Sequence, residues 1–145
     1  MTADILPRVG CGAALIRENC LLLVYRKRDP ERDHWGLPGG KVEPFETLQH
    51  AVRREILEET GLQIERMNLL CIVDQIVPDC HEHWVAPVYI AEDFTGNATV
   101  REPEALGDVK WFPLQQLPSR LTHATEIAVV AIQARRTCYQ TKRQL

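Results

Sequence analysis

The sequence predicts an α/β fold in a single domain. Apolar, strand-like runs lie on both sides of one strongly patterned helical stretch, and a second helical stretch follows the last run. The chain has 145 residues, which is enough to bury a core without disulfides or a structural metal. We therefore expect residues 1–145 to form one domain in which strands and two helices share a core.

The predicted strands are runs of apolar residues separated by polar turns. A polar turn at Arg17–Asn19 divides the first two runs, which indicates a hairpin or two adjacent strands of the main sheet. A loop is expected at Ile76–Glu82, and a turn-like stretch at Phe94–Arg101 precedes the last strand. The predicted strands are Val9–Ile16, Leu21–Lys27, Ile64–Gln75, His83–Ala91 and Val109–Phe112.

The first helix is predicted from about Glu46 to Thr60. A turn containing Gly39 and Gly40 precedes it, at a place where glycine takes backbone conformations that other residues avoid. Gly61 follows the last helical residue and ends the helix as a C′ glycine.

The second helix is predicted from Thr122 to about Tyr139, with Thr122 as a candidate N-cap. The tail Thr141–Leu145 is expected to fray. The predicted apolar stripe of this helix consists of Ile127, Val130, Ala131, Ala134 and Cys138.

The first helix carries three acids on the face that should turn inward. At about 100° per residue, Glu55, Glu58 and Glu59 continue the face that is apolar at positions 48–52. A solvated acidic surface would oppose the apolar stripe, whereas these acids continue it. Ion pairs with Arg53 and Arg54 would compensate one glutamate but not three. A hard divalent cation is the simplest compensation, and Mg²⁺ prefers oxygen ligands.

These residues match a known family pattern. Gly40, Glu46 and the run Arg54–Leu62 fit the Nudix box, G-x5-E-x7-R-E-U-x-E-E-x-G-U, in which U is a bulky aliphatic residue. Every defined position of the box is filled. The chain therefore resembles the Nudix hydrolases, and most of all the small MutT-type enzymes. The resemblance implies an α/β/α sandwich around a mixed β-sheet and hydrolysis of a nucleoside diphosphate linked to another group.

The resemblance also implies roles for the residues of the box. Glu55, Glu58 and Glu59, with the Gly40 carbonyl, would hold Mg²⁺, for which Mn²⁺ is a possible substitute. Arg54 would orient one of the metal-binding carboxylates. The structural residues of the motif would be Glu46, at the start of the helix, and Gly61.

Further site residues are expected outside the helix. Arg26 and Arg28, at the end of a strand, are placed to meet phosphate, and Arg26 matches a strand-end arginine of the family. Gly39 is also expected at the substrate. Small family members carry a glutamate in the loop shortly before a strand that contains a tryptophan. There the glutamate acts as an extra metal ligand or as a general base. Glu104 fits that position better than Glu102 by its spacing to the strand.

Three functions fit this sequence. The favoured one is conversion of a nucleoside triphosphate into the monophosphate and pyrophosphate, supported by Arg26, the stretch His83-Trp84-Val85 and the Glu104 loop. The alternative is hydrolysis of ADP-ribose or a nucleotide sugar, to which Pro78 alone points. The third is a nucleotide sensor that binds without cleaving, although such proteins usually lose residues of the box.

Composition excludes several other classes of protein. The net charge is −3, which gives no electrostatic reason to expect a nucleic-acid polymer as partner. The apolar runs are too short to span a bilayer, and Met1–Val9 lacks the features of a secretory signal. Five scattered cysteines without a CxxC pair favour reduced thiols in the cytoplasm. The run Cys80–His83 is not expected to bind zinc, because a zinc site needs four well-spaced ligands and no second group of ligands accompanies this run. We expect a small-molecule nucleotide as substrate and a monomer or homodimer.

Overall fold

A computed structural model describes residues 4–143, and this part of the chain contains seven strands and two α-helices. A short 3₁₀ turn at Pro78–Cys80 joins two of the strands. The elements are β1 (Arg8–Arg17), β2 (Cys20–Arg26), β3 (Trp35–Gly36), β4 (Gly39–Lys41), α1 (Leu48–Thr60), β5 (Gln63–Val77), β6 (Glu82–Thr95), β7 (Leu106–Pro113) and α2 (His123–Arg143).

The strands form one mixed sheet in the order β3-β2-β1-β6-β5. β1 and β6 run parallel at the centre, and the other pairings are antiparallel. β4 also pairs with β1, and β7 pairs with β2. The register of β4 places Gly39 opposite Gly12 and Gly40 opposite Cys11, so the glycine turn lies on the central strand.

The two helices cover opposite faces of the sheet. On β1, Ala13 and Leu15 pack with α1, whereas Ala14 and Ile16 pack with α2. This alternation is what a strand buried on both faces requires. The predicted α/β/α sandwich around a mixed sheet is therefore confirmed.

The structure corrects several predicted boundaries. α1 begins at Leu48 and not near Glu46, because the Thr47 side chain accepts a hydrogen bond from the His50 amide and caps the helix. The loop predicted at Ile76–Glu82 is shorter, since β5 and β6 continue pairing as far as Val77 and Glu82. β6 also extends through Thr95, into the stretch that was predicted to be turn-like.

The predicted face of α2 was partly wrong, since Ile127 packs against the core but Val130, Ala134 and Cys138 are exposed. Its buried residues are Thr125, Ala128, Val129 and Ile132, whereas Val130 is 65% exposed. The helix is apolar on more than one side, so spacing alone did not select the face that meets the sheet. The helix also continues through Arg143, in place of the fraying tail that was expected; Gln144 and Leu145 lie outside the described residues.

Neither helix in the described range contains a stretch that is long and apolar enough to cross a membrane. All five cysteines lie within this range, and each is a free thiol. Cys11 is buried beneath the glycine turn, and burial raises the pKa of its thiol to about 11.

Candidate active site

The acidic face of α1 is pressed against the glycine turn. Glu55 and Glu59 are four residues apart and therefore lie one above the other on the helix. The Gly39 amide donates a hydrogen bond of 3.1 Å to Glu59 Oε2. A Cβ atom on Gly40 would overlap the Glu55 carboxyl group. The absence of side chains at the turn lets both carboxylates approach the backbone.

Glu58 departs from the predicted arrangement. Its side chain is 48% exposed, compared with 13% for Glu55. Ile56, which is next to Glu55 in the sequence, is fully buried. The inward face of α1 therefore includes two of the three glutamates.

Arg54 binds the acidic residues together. Its guanidinium donates to both oxygens of Glu46 at 2.7 and 2.8 Å, to Glu55 at 3.0 Å and to Glu58 at 3.3 Å. It also donates to the Lys41 carbonyl at 3.0 Å, which links the helix to the end of β4. The hydrogen bonds from Arg54 hold the pKa of the Glu46 carboxyl well below its usual range. Glu46 in turn fixes the guanidinium that orients Glu55.

Burial dominates the electrostatics of the two inner glutamates. It raises the pKa of Glu59 to about 8, against the lowering effects of the Gly39 amide and the Arg26 charge. Burial also raises the pKa of Glu55, although Arg54 opposes this change. Neighbouring acids add to both shifts, since Glu55 acts on Glu59 and Glu58 acts on Glu55. Two buried acids that destabilise each other's charge form a typical setting for catalysis or metal binding.

The loop before β7 brings a further acid to this site, and it is not the residue that spacing favoured. The Glu102 charge raises the pKa of both Glu55 and Glu59. Glu104 is exposed on the same loop. The chain turns directly after Glu102, because the Glu102 carbonyl accepts hydrogen bonds from the Ala105 and Leu106 amides. This turn separates the positions of Glu102 and Glu104. Glu102 is therefore a second candidate, beside the predicted Glu104, for the acid of this loop.

A cavity of about 450 Å³ opens beside the glycine turn. Its lining includes Gly10 and Gly12, which have no side chain, and Ala86, which has only a methyl group. Trp84 also lines it, and the Arg8 guanidinium lies 4.2 Å from the centre of the indole ring. The cavity is further lined by Arg26, Glu31, Gly36, Leu37, Gly39, Gly40, Lys41, Gln75, Glu82, Val88, Thr122 and Ala124, among others.

The two predicted phosphate-binding arginines have different positions. Arg26 lines the cavity, and its guanidinium is held by the Pro30 carbonyl at 3.0 and 3.2 Å. Arg28 is exposed and is not among the lining residues; its carbonyl accepts a hydrogen bond of 3.5 Å from Arg26. The structure therefore brings Arg26, but not Arg28, to the cavity.

Three further residues of the cavity lining, Arg8, Glu82 and Trp84, were not predicted as site residues from the sequence. Arg8 forms an ion pair of 2.6 Å with Glu82, and Glu82 also accepts a hydrogen bond from the Trp84 indole. Arg8 and Trp84 become neighbours only because β1 and β6 pair in parallel. One signal was present, since glycines at alternate positions of a strand, Gly10 and Gly12, indicate a close approach of another group.

A profile of the NUDIX domain matches residues 6–131, which include the glycine turn, α1 and the cavity strands. The chain belongs to the Nudix family. We therefore call α1 the Nudix helix.

Known relatives agree with this assignment. A MutT NUDIX hydrolase from Burkholderia pseudomallei is 53% identical to this chain in sequence. Its crystal structure superposes with a TM-score of 0.86 over 88% of this chain and 98% of the relative's chain. An ADP-ribose pyrophosphatase from Methanocaldococcus jannaschii is 33% identical over 77% of this chain and 65% of its own length. The human 8-oxo-dGDP phosphatase NUDT18 is 31% identical over 79% of this chain. The chain spans only 36% of that human relative and less than two thirds of the archaeal one.

The residues at the glycine turn of this Nudix domain fit a divalent cation. Within residues 4–143, no three carboxylate, imidazole or thiol side chains already converge as a metal cluster. Glu55 and Glu59 nevertheless present buried oxygen donors whose mutual repulsion a cation would remove. We expect the exposed Glu58 to join them when a cation binds.

The two adjacent glycines predict different effects of one added methyl group. In Gly40→Ala the new Cβ displaces only the flexible end of Glu55, so magnesium affinity should fall about tenfold with little change in stability. In Gly39→Ala the Cβ overlaps the Cys11 carbonyl, so the free energy of unfolding should fall by about 1–3 kcal/mol. Calorimetric titration and chemical denaturation measure the two effects. Wild-type magnesium affinity in Gly40→Ala would contradict the assigned position of Glu55.

The raised pKa of Glu59 predicts how stability depends on pH in the metal-free protein. A carboxyl with a pKa of about 8 when folded, against an ordinary value near 4.5, destabilises the fold as pH rises between these values. Glu59→Gln should therefore gain about 1–3 kcal/mol over wild type at pH 8.5 in EDTA, and almost nothing at pH 4.5. Glu58→Gln is the control, because its exposed side chain predicts no such gain. An equal response of both variants in denaturation curves would refute the burial of Glu59.

Proposed function

We propose that this Nudix domain hydrolyses nucleoside triphosphates to the monophosphate and pyrophosphate. The observation that carries the proposal is the contact of Glu55 and Glu59 with the same glycine turn that lines the cavity. A substrate seated in the cavity would have its phosphates at these carboxylates. The Burkholderia relative, at 53% identity, is described as a MutT NUDIX hydrolase, and the choice of a triphosphate follows from the resemblance of this chain to MutT-type enzymes.

The metal would be bound by this chain's oxygen donors. Glu55 and Glu59, with Glu58 and the Gly40 carbonyl, would hold Mg²⁺ or Mn²⁺. Such an ion neutralises phosphate charge and lowers the pKa of water. Arg54 keeps the Glu55 carboxylate oriented through its bonds to Glu46.

The remaining residues of the site would position the substrate and accept a proton. Arg26 lies in the cavity lining beside the charge of Glu59, where a phosphate oxygen would accept from its guanidinium. The charge of Glu102 acts on the two inner glutamates. We assign Glu102 the role of general base, which accepts a proton from the attacking water. Trp84 lies on the cavity wall, where its indole offers a flat surface for a nucleobase.

Hydrolysis of ADP-ribose is the second candidate. The archaeal relative named ADP-ribose pyrophosphatase favours it, at 33% identity. Pro78, the sequence feature that pointed to this reaction, begins the 3₁₀ turn between β5 and β6 and does not line the cavity. Its position is explained by turn formation alone, so it adds no support to this candidate.

A hydrolysis screen separates the two candidates. The purified protein is incubated with Mg²⁺ and common or oxidised nucleoside triphosphates, 8-oxo-dGDP, ADP-ribose, NADH and a dinucleoside polyphosphate, and products are identified by mass. Pyrophosphate release from a triphosphate at a kcat/KM well above that for ADP-ribose is the expected result. AMP from ADP-ribose as the dominant product would replace the first proposal with the second. Binding of nucleotide without turnover of any compound would indicate a sensor.

The cavity assignment predicts the effect of removing the indole. Trp84→Ala should raise KM for the preferred triphosphate about tenfold, because loss of base stacking costs roughly 1–3 kcal/mol. kcat should stay within about twofold, since the indole contacts Arg8 and Glu82, which lie outside the acidic face of α1. Trp84→Phe keeps an aromatic surface and serves as the matched control. An unchanged KM in Trp84→Ala, measured by steady-state kinetics, would rule out stacking on this residue.

A further inference from the structure

The loop that carries Glu102 is attached to the end of the Nudix helix. The Thr99 amide donates to the Thr60 carbonyl at 3.0 Å, and the Arg101 amide donates to the Glu59 carbonyl at 3.3 Å. Both acceptors belong to the last turn of α1, where carbonyls have no partner within the helix. These bonds fix the loop up to Arg101, immediately before the acid.

Lys27, the residue directly after β2, holds the other side of the loop. The Lys27 amide donates to the Ala105 carbonyl at 3.0 Å, and Lys27 Nζ donates to the Pro103 carbonyl at 2.8 Å. The aliphatic part of the side chain lies over Gly107, where a Cβ atom would be 3.4 Å from Lys27 Cδ. Lys27 therefore contacts the chain on both sides of Glu104 and next to Glu102.

The ammonium group of Lys27 has no carboxylate partner in the described part of the chain. None of the ion pairs found among residues 4–143 includes it. Its neighbour Arg26 points into the cavity, whereas Lys27 reaches the loop instead. β2 ends between the two residues, at Arg26, so they are not bound to a common strand surface.

We propose that Lys27 is a positioning residue, which holds the turn at residues 102–105 so that Glu102 faces Glu55 and Glu59. The proposal rests on the proposed function, because it assigns Glu102 a part in hydrolysis. The bond from Lys27 Nζ adds a constraint that the two bonds to α1 do not supply. They act before Glu102, and Lys27 acts directly after it.

The test compares variants that change only the head group of Lys27. Lys27→Met keeps the stem over Gly107 and removes the donor, so kcat should fall about fivefold to twentyfold while KM stays within about twofold. Lys27→Arg restores a donor and should recover most of kcat. Lys142→Met, an exposed lysine on the last turn of α2, is the matched control and should behave as wild type.

A double-mutant cycle ties the effect to the acid. Lys27→Met should cost less than about twofold in kcat when Glu102 is already Gln, because the two residues act as one unit. A full additive loss in the double variant would overturn the proposal. A rise in KM without a change in kcat would also overturn it, because that result would assign Lys27 to substrate binding.

Hydrogen exchange of the metal-free protein tests the same point without activity. Amides of residues 101–106 should exchange about tenfold faster in Lys27→Met than in wild type, with the core of the Nudix helix unchanged. Unchanged exchange in this loop would overturn the proposal. If no substrate is hydrolysed by wild type, the proposed function fails, and the exchange experiment still decides whether Lys27 holds the loop.

Discussion

Two acidic side chains buried against a glycine backbone form the constraint on which the rest of the site depends. Glu55 and Glu59 lie one helical turn apart, and both meet the turn at Gly39 and Gly40. Burial raises the pKa of each carboxyl, so their charged forms oppose folding in the absence of a counterion. The arrangement persists because the apolar residues of the Nudix helix fix it on the sheet, with Val52 and Ile56 fully buried.

The surrounding charges divide the site into a fixed part and an adaptable part. Arg54 donates five hydrogen bonds, to Glu46, Glu55, Glu58 and the Lys41 carbonyl at the end of β4. These bonds join the start of the helix and its inner acid into one unit. Glu58 is half exposed, and a single bond of 3.3 Å from Arg54 holds its carboxylate. Glu102 approaches from a loop, so its position depends on the anchors of that loop. Such a division gives a rigid ligand set with an adjustable acid beside it.

Local spacing explains which features could be predicted. The Nudix helix and its end at Gly61 follow from residues close in sequence, and Gly61 takes the left-handed conformation that such an end requires. The position of the Glu102 loop was missed because contacts with Lys27 and α1, distant in sequence, hold it. The pairing of Arg8 with Trp84 was missed for the same reason, since 76 positions separate them. Properties set by tertiary pairing stay hidden from spacing arguments.

We propose that the buried glutamates hold a divalent cation. Calorimetric titration of the wild-type protein with MgCl₂ at pH 8, without nucleotide, measures this binding. We expect saturable binding that weakens at least about tenfold in Glu59→Gln, because an amide cannot supply the charge that the ion neutralises. Wild-type affinity in Glu59→Gln, or no binding in the wild-type protein, would contradict the account.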